Sequence, residues 1–497
     1  MKISIRQQPR LPGKQDIDGL SNLIILLPNQ AAGGRWPAFP YQDKLENKIQ
    51  LIDYRINTEK PMAMDLPNDK ATRVSLSGYD PQLSTFALLE LARKHATLHQ
   101  EQQAHTIMVM FPGIRKRRDR QRLADALISA LLAANATLPT YKTKRPPPKA
   151  LKTIILCGLL ESIDLRRTVA ESAGNALARE LTTTPPNELT PAIYRRRLAR
   201  VARAEGWNMR FLDQKNLQQK GAGAFLAVAQ GSPDDDAGIV HLSYSPNRGK
   251  RNKALSLVGK GICFDTGGMN LKPARHMHGM HEDMQGSAVA LGTLLALSRL
   301  KVPFPIHCWL ALAQNHIGPR AYKQNDVVTA SNGTSIEVMH TDAEGRMVLA
   351  DTLALAAKGK PGLILDYATL TGACVYALST RYSGACSNRE ALIPAIMAAG
   401  RDSGERVWPF PMDDDFDQPL ESQVADIKQC TLEGEADQIL AARFLKRFVK
   451  DSPWIHVDLS AGNHKGGLAH IPTDITGFGI RFSLSLLLDQ KILTTEL

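Results

Sequence analysis

From Ala254 to Pro273 the chain reads ALSLVGKGICFDTGGMNLKP. Its first six residues are a short apolar run closed by glycine, the pattern of a buried strand. Three later runs repeat the pattern: FPIHCWLALA from Phe304, GLILDYATL from Gly362 and WIHVDLS from Trp454. Between them, Gly292 to Ser298 and Asp351 to Lys358 lie in helical patterns. Strands that alternate with helices predict an α/β domain with a mostly parallel sheet flanked by helices. In such sheets ligands bind beyond the carboxyl ends of the strands.

Toward the N-terminus, Thr182 to Pro191 (TTTPPNELTP) ends a helix predicted over Leu165 to Leu181, because two prolines cannot continue it. Asn187 to Thr190 then offers capping groups for a helix from Pro191 to Ala204. Further upstream, Leu23 to Leu27 (LIILL) and Thr106 to Phe111 (TIMVMF) are strand-like, and another apolar run begins at Ile154. Ser84 to Leu98 and Asp119 to Thr137 have amphipathic helical spacing. Lys142 to Lys149 (KTKRPPPK) is a basic, Pro-rich loop. The expected organisation is a smaller N-terminal α/β domain over 1–160, a linker helix over 161–183 and a larger domain over 184–497.

Composition narrows the class. The 497 residues suit several units, and a hydrophobic fraction of 43% is globular. The six cysteines form no C-x-x-C pair and most sit in apolar runs, which predicts reduced thiols in a cytoplasmic protein. The basic start, MKISIRQQPRLPGKQ, lacks an apolar core, so no secretory signal is expected. No stretch reaches the ~18 apolar residues of a membrane helix. The net charge of +12 admits either a basic solvated surface or an acidic partner such as DNA.

Three segments concentrate acids and lysines beside glycine: Val258 to Pro273, Met280 to Gly286 (MHEDMQG) and Met339 to Asp351 (MHTDAEGRMVLAD). Asp265, Asp283, Asp342 and Glu344 are expected in loops at strand ends, where glycines let side chains converge. Singly, each would read as a solvated loop acid. Four carboxylates meeting at one point repel too strongly to stay uncompensated. Two divalent cations would neutralise them, and bridging carboxylates hold such ions ~3.5–4 Å apart.

These segments closely resemble the leucyl aminopeptidase family. The string TDAEGR at Thr341 to Arg346 matches the heart of the family signature. Lys260, Asp265, Lys272 and Asp283 precede it at matching spacing. ATLTGAC at Ala368 to Cys374, ITGFG at Ile475 to Gly479, GAGAFLAVAQGS at Gly221 to Ser232 and TPPNELTP at Thr184 to Pro191 also fit, so the resemblance spans about residues 165 to 490. It implies a catalytic metallopeptidase domain over 184–497 that releases N-terminal amino acids, leucine and similar residues, from peptides. One metal ion, Zn2+ or Mn2+, is implied at Lys260, Asp265, Asp283 and Glu344. A second is implied at Asp265, Asp342 and Glu344, so Asp265 and Glu344 bridge the pair. A lysine ligand must be neutral, so bound metal must depress its pKa. Lys272 and Arg346 are the implied catalytic residues outside the metal shell. Lys272 stabilises the oxyanion, and Arg346 anchors a bicarbonate that serves as general base. A metal-bridging water is the implied nucleophile. Met280, Thr369, Gly372 and Ser460 fall where the family builds its substrate pocket. The resemblance also implies a homohexamer.

Several positions depart from the family pattern. His340 stands where Asn is usual, and Gln314 where Glu is usual. His276, His278 and His281 form an H-x-H-x-x-H string that could bind metal in isolation. In register with the family it is only the loop that leads to Asp283. The stretch Ser460 to His464 is more polar than the usual pocket wall. Two rival functions remain open on sequence alone. Arg115 to Arg122 (RKRRDRQR), with Arg195, Arg196, Arg197, Arg200 and Arg203, could track phosphates and add DNA binding. A two-metal phosphoesterase could also use bridging carboxylates, though such sites commonly draw on histidine ligands.

Overall fold

Leu255–Asp265 forms one eleven-residue strand, so the strand runs on through Lys260 to Asp265 rather than stopping at Gly259. Lys260 therefore sits inside a strand, not in a loop. The pleat sends successive residues to opposite faces. A Cβ on Gly259 would lie 2.5 Å from the Cα of Ser287, so glycine there admits the helix Gln285–Arg299 against one face. On the other face Lys260 lies beside the helix Glu344–Ala357. A Cβ on Gly345 already comes 2.7 Å from the Lys260 ammonium nitrogen.

The computed structural model describes residues 3–29, 36–100, 104–144, 151–246 and 253–493. The basic, Pro-rich segment lies outside the described residues from 145 onward. The chain divides into two compact units, Met1–Ser172 with Lys465–Asp474, and Ala173–His464 with Ile475–Leu497. The division falls within the helix Arg166–Thr182.

Strands are numbered in chain order. In the first unit they are β1 (Ser4–Gln8), β2 (Asn22–Pro28), β3 (Met62–Asp65), β4 (Arg73–Tyr79), β5 (Thr106–Met110) and β6 (Thr153–Cys157). They form one sheet in the order β1-β6-β5-β2-β4-β3, parallel except where β3 meets β4. The LIILL run lies in β2 and is buried on both faces. Ile24 and Leu26 pack with Leu88 and Leu91 of the helix Thr85–Gln100 and Leu123 and Leu127 of the helix Arg117–Ala134. Leu23, Ile25 and Leu27 pack with Leu45 and Ile17 on the opposite side.

The second unit contains β7 (Asn208–Asp213), β8 (Gly238–Tyr244), β9 (Leu255–Asp265), β10 (Ile306–Asn315), β11 (Val327–Thr329), β12 (Ser335–Glu337), β13 (Leu363–Ala368), β14 (Ser383–Ser387), β15 (Val407–Pro409), β16 (Ile427–Lys428) and β17 (Trp454–Asp458). Eight of them form a sheet ordered β15-β14-β17-β13-β9-β10-β8-β7. Its centre, β17-β13-β9-β10, is parallel, and antiparallel pairings flank it. The predicted α/β class with a mostly parallel, helix-flanked sheet is what the fold shows. Every residue of the helix Glu344–Ala357 is buried, as is Gln285 to Ser298. Helices buried all round lie between a sheet and an outer layer, and here they fix both flanks of β9. Thr190 caps the helix Pro191–Glu205 by accepting from the Ile193 amide, as TTTPPNELTP suggests. No described helix is long and apolar enough to cross a membrane.

A buried polar chain in the first unit carries a testable consequence. His95 and His99, one helical turn apart, point inward. His95 shares hydrogen bonds with Ser75 (2.7 Å) and Ser77 (2.8 Å), and His99 with Ser75 (2.9 Å) and Asn22 (2.7 Å). Burial, then His99, pushes His95 down to about 3. Burial, then Arg73, pushes His99 down to about 4. Above the ordinary pKa of ~6.5 both states are neutral and neither histidine favours unfolding. Below it only the unfolded chain takes up the protons, so stability falls until pH drops through the folded values. The slope is about 1.4 kcal/mol per pH unit for each histidine. Thermal unfolding of the full chain should therefore weaken between pH 6.5 and 4. His95→Gln with His99→Gln, which cannot titrate, should flatten that slope. An unchanged slope would show that the pair does not govern acid sensitivity.

Candidate functional site

The site is built at the carboxyl ends of β9 and β10. Asp265 closes β9, and Asn315 closes β10. The Asn315 amide donates to Asp265 Oδ1 (2.8 Å) and to the Thr341 carbonyl (3.0 Å). The Gly267 amide also donates to Asp265 Oδ1 (2.8 Å). Tyr322 donates from its hydroxyl to the same Thr341 carbonyl (2.7 Å). These bonds place the loop that carries Asp342 against the end of β9. Asp342 precedes the helix Glu344–Ala357, and Glu344 is its first residue. Asp283 lies in the short 3-10 helix Met280–Met284. Of the four acids only Asp342 lies in an irregular loop.

The six residues Lys260, Asp265, Lys272, Asp283, Asp342 and Glu344 line one cavity of about 770 Å3. Oxygens of Asp265, Asp342 and Glu344 converge within 4.8 Å, a set able to hold a metal ion. The Lys260 ammonium contacts Asp283 Oδ1 and Glu344 Oε1, each at 2.8 Å, and donates to the Thr369 carbonyl at 2.9 Å. Lys272 contacts Asp265 Oδ2 at 2.9 Å and also Asp342. Burial alone would pull both lysines down. Neighbouring carboxylates outweigh it and hold both above the ordinary range. Burial raises Asp283, Asp342 and Glu344, and Asp265 raises each of them further.

The charges leave a deficit of cations. Four carboxylates face two ammonium groups, so with all four ionised the cluster is two positive charges short of neutrality. Asp283 Oδ2 and Glu344 Oε2 are buried without a hydrogen bond. Orphaned buried carboxylate oxygens are costly. Divalent cations would satisfy both the oxygens and the charge, so the donor set fits them.

Met280, Thr369, Gly372 and Ser460 line the same cavity. Thr369 Oγ1 donates to Asp283 Oδ1 (2.7 Å). Asp458, buried, accepts from the Leu370 amide (3.0 Å) and from Thr371 Oγ1 (2.7 Å), which fixes this wall. Ser460 donates to the Tyr382 carbonyl (2.7 Å) and lies 3.3 Å from Cys374. Arg346 is not among the lining residues. Its guanidinium grips Asp437 through Nη2 (2.7 and 2.9 Å) and donates from Nη1 to the Gln429 carbonyl (3.2 Å). Its Nε is buried without a partner.

Of the histidine string, only His276 reaches the cavity. Among the described residues the three histidines join no converging metal-ligand set. Gln314 accepts from Ser232 at 3.4 Å and is not among the residues that line the cavity. The basic run is partly structural, since Arg120 and Arg122 donate to backbone carbonyls of Ile114, Arg115, Pro81 and Leu83. All six cysteines are free and buried. Sequence reasoning missed Asn315, Tyr322, Gln429 and Asp458. Asn315 had a signal, because it ends an apolar strand with an amide. The others become functional only through contacts distant in sequence.

Comparison with known proteins agrees with this geometry. The model of the cytosol aminopeptidase family, catalytic domain, matches residues 176–484. The chain is 40% identical over 364 residues to a probable cytosol aminopeptidase of Stutzerimonas stutzeri (strain A1501), which covers 71% of this chain and 73% of that one. It is 37% identical over 418 residues to a probable cytosol aminopeptidase of Pseudomonas syringae pv. syringae (strain B728a), with coverage of 81% and 84%. A solved structure of a tomato leucine aminopeptidase mutant matches with a TM-score of 0.86 at 26% identity, over 98% of this chain and 97% of that one. With matching fold, motifs and relatives, the chain belongs to the cytosol (leucyl) aminopeptidase family and is a peptide hydrolase of the aminopeptidase type.

Proposed function

We propose that the second unit releases N-terminal amino acids from peptides at a two-metal centre. The observation that carries this reading is a set of four carboxylates on one cavity, three of them buried, with Asp283 Oδ2 and Glu344 Oε2 making no hydrogen bond. Lys260, Asp265, Asp283 and Glu344 would hold one divalent ion. Asp265, Asp342 and Glu344 would hold the other, and nitrogen with carboxylate oxygen suits Zn2+ or Mn2+. Such ions would supply a nucleophile at neutral pH and polarise the scissile carbonyl.

The chain's own residues do the rest. Lys260 would give up its proton to serve as a ligand. Lys272, released from compensating Asp265 and Asp342, directs its ammonium at the oxyanion that develops on the scissile carbonyl. The wall of Met280, Thr369, Gly372 and Ser460 receives the side chain of the first residue, leucine or one of similar size. Asp458 and Thr371 keep that wall in place. Family resemblance supports Arg346 as the anchor of a bicarbonate; its guanidinium holds Asp437 and the Gln429 carbonyl, and its Nε makes no hydrogen bond. Family resemblance supports a cytoplasmic homohexamer.

Chelation followed by metal replacement tests the reading. Chelated protein should lose turnover of a leucyl peptide and recover it with zinc or manganese. An N-acetylated version of the same peptide should resist cleavage. Full activity after chelation, or on the blocked peptide, sinks the proposal.

A further inference from the structure

We infer that His340 is a peptide-binding residue whose Nε2–H donates to the first backbone carbonyl after the scissile bond. The inference rests on the aminopeptidase reading above and adds the part of the substrate on the leaving side. His340 lines the cavity and is half-buried. Its ring orientation is fixed by the backbone, because the Asp342 amide donates to Nδ1 at 3.2 Å. The peptide is pinned as well. The amides of Met339 and His340 both donate to Gln429 Oε1 (3.1 and 3.2 Å), and the Gln429 side chain donates to the Ala343 carbonyl (3.0 Å).

The tautomer follows from this geometry. A ring nitrogen that accepts a hydrogen bond carries no proton, so in the neutral imidazole the proton sits on Nε2. Among the described residues Nε2 has no hydrogen-bond partner, and it is not a buried orphan. A positioned, solvent-facing donor therefore stands in the cavity with nothing in the chain to bond.

Its place on the cavity wall indicates what it meets. Lys260 and Asp283 are tied to Thr369, on the wall with Met280, Gly372 and Ser460. His340 is tied instead to Asp342, which Lys272 contacts. A substrate whose first side chain lies on the Thr369 wall extends its next residue over Asp342 and His340. A peptide offers a carbonyl there, whereas an aminoacyl anilide does not.

The experiment compares kcat/KM for the tripeptide Leu-Gly-Gly with that for leucyl anilide, in metal-loaded full-length protein. The readout is the ratio of the two. His340→Phe keeps a ring and removes the donor, and His340→Ala removes both. Each should lower the tripeptide-to-anilide ratio by roughly 3- to 10-fold, the worth of one net hydrogen bond, mainly through KM. His340→Asn should recover part of the ratio, because its amide can accept from Asp342 and still donate. A ratio unchanged from wild type in both His340→Phe and His340→Ala overturns the inference, whatever the absolute rates. Wild-type protein that hydrolyses neither substrate overturns the aminopeptidase reading itself.

Discussion

Asp265→Ala and Glu344→Ala should each lower kcat by more than about 1000-fold, beyond what a single electrostatic donor contributes. The two residues occupy different elements, the end of β9 and the start of the helix Glu344–Ala357. Each would ligate both ions, so either substitution removes a bond from both sites at once. Asp265→Asn is the cleaner variant. It keeps an oxygen for the Gly267 amide and the Asn315 side chain, which both donate to Oδ1. Asp283→Ala should behave differently, because Asp283 lies on the Lys260 side alone. It should mainly lower the affinity of one site. Metal content of the purified variants checks the assignment. Asp265→Ala that binds as much metal as wild type would refute the bridging role.

Lys272→Ala should lose about 100- to 1000-fold in kcat while keeping its metal. Without cations, Lys272 compensates Asp265 and Asp342 from inside the cluster. Cations would take over that task and leave its ammonium beside the reacting carbonyl. An interaction made only in the transition state shows in kcat and kcat/KM equally. A variant that loses metal along with rate would place Lys272 in the electrostatic frame of the site instead. Lys272→Met separates these outcomes further, since it keeps the stem and removes only the charge.

Much of this was written in local sequence. The apolar runs in β2, β5, β9, β10, β13 and β17 were legible because a strand buried on both faces must be apolar throughout. The helix Pro191–Glu205 was legible because proline and a capping threonine act within a few residues. The acids were legible as a set because three glycine-rich segments concentrate them. The sequence did not show where the strand of Lys260 ends. Glycines read locally as a break, yet Gly259 is required by the helix packed across it, and Gly261 by the neighbouring strand, where a Cβ would lie 2.7 Å from the Ala311 carbonyl oxygen.

By itself, then, the sequence determined the α/β class and named the acids and lysines that line the cavity. Those depend on periodicity, composition and short-range backbone chemistry. The tertiary structure alone decided which charges meet. Asn315 and Asp265 are fifty positions apart, and Arg346 and Asp437 ninety-one, so each pair exists only after the sheet has formed. It also decided that Arg346 grips Asp437 and the Gln429 carbonyl and that His340 stands on the cavity wall. A side chain's direction is set by the packing and hydrogen bonds of its neighbours in space, and no local pattern encodes that.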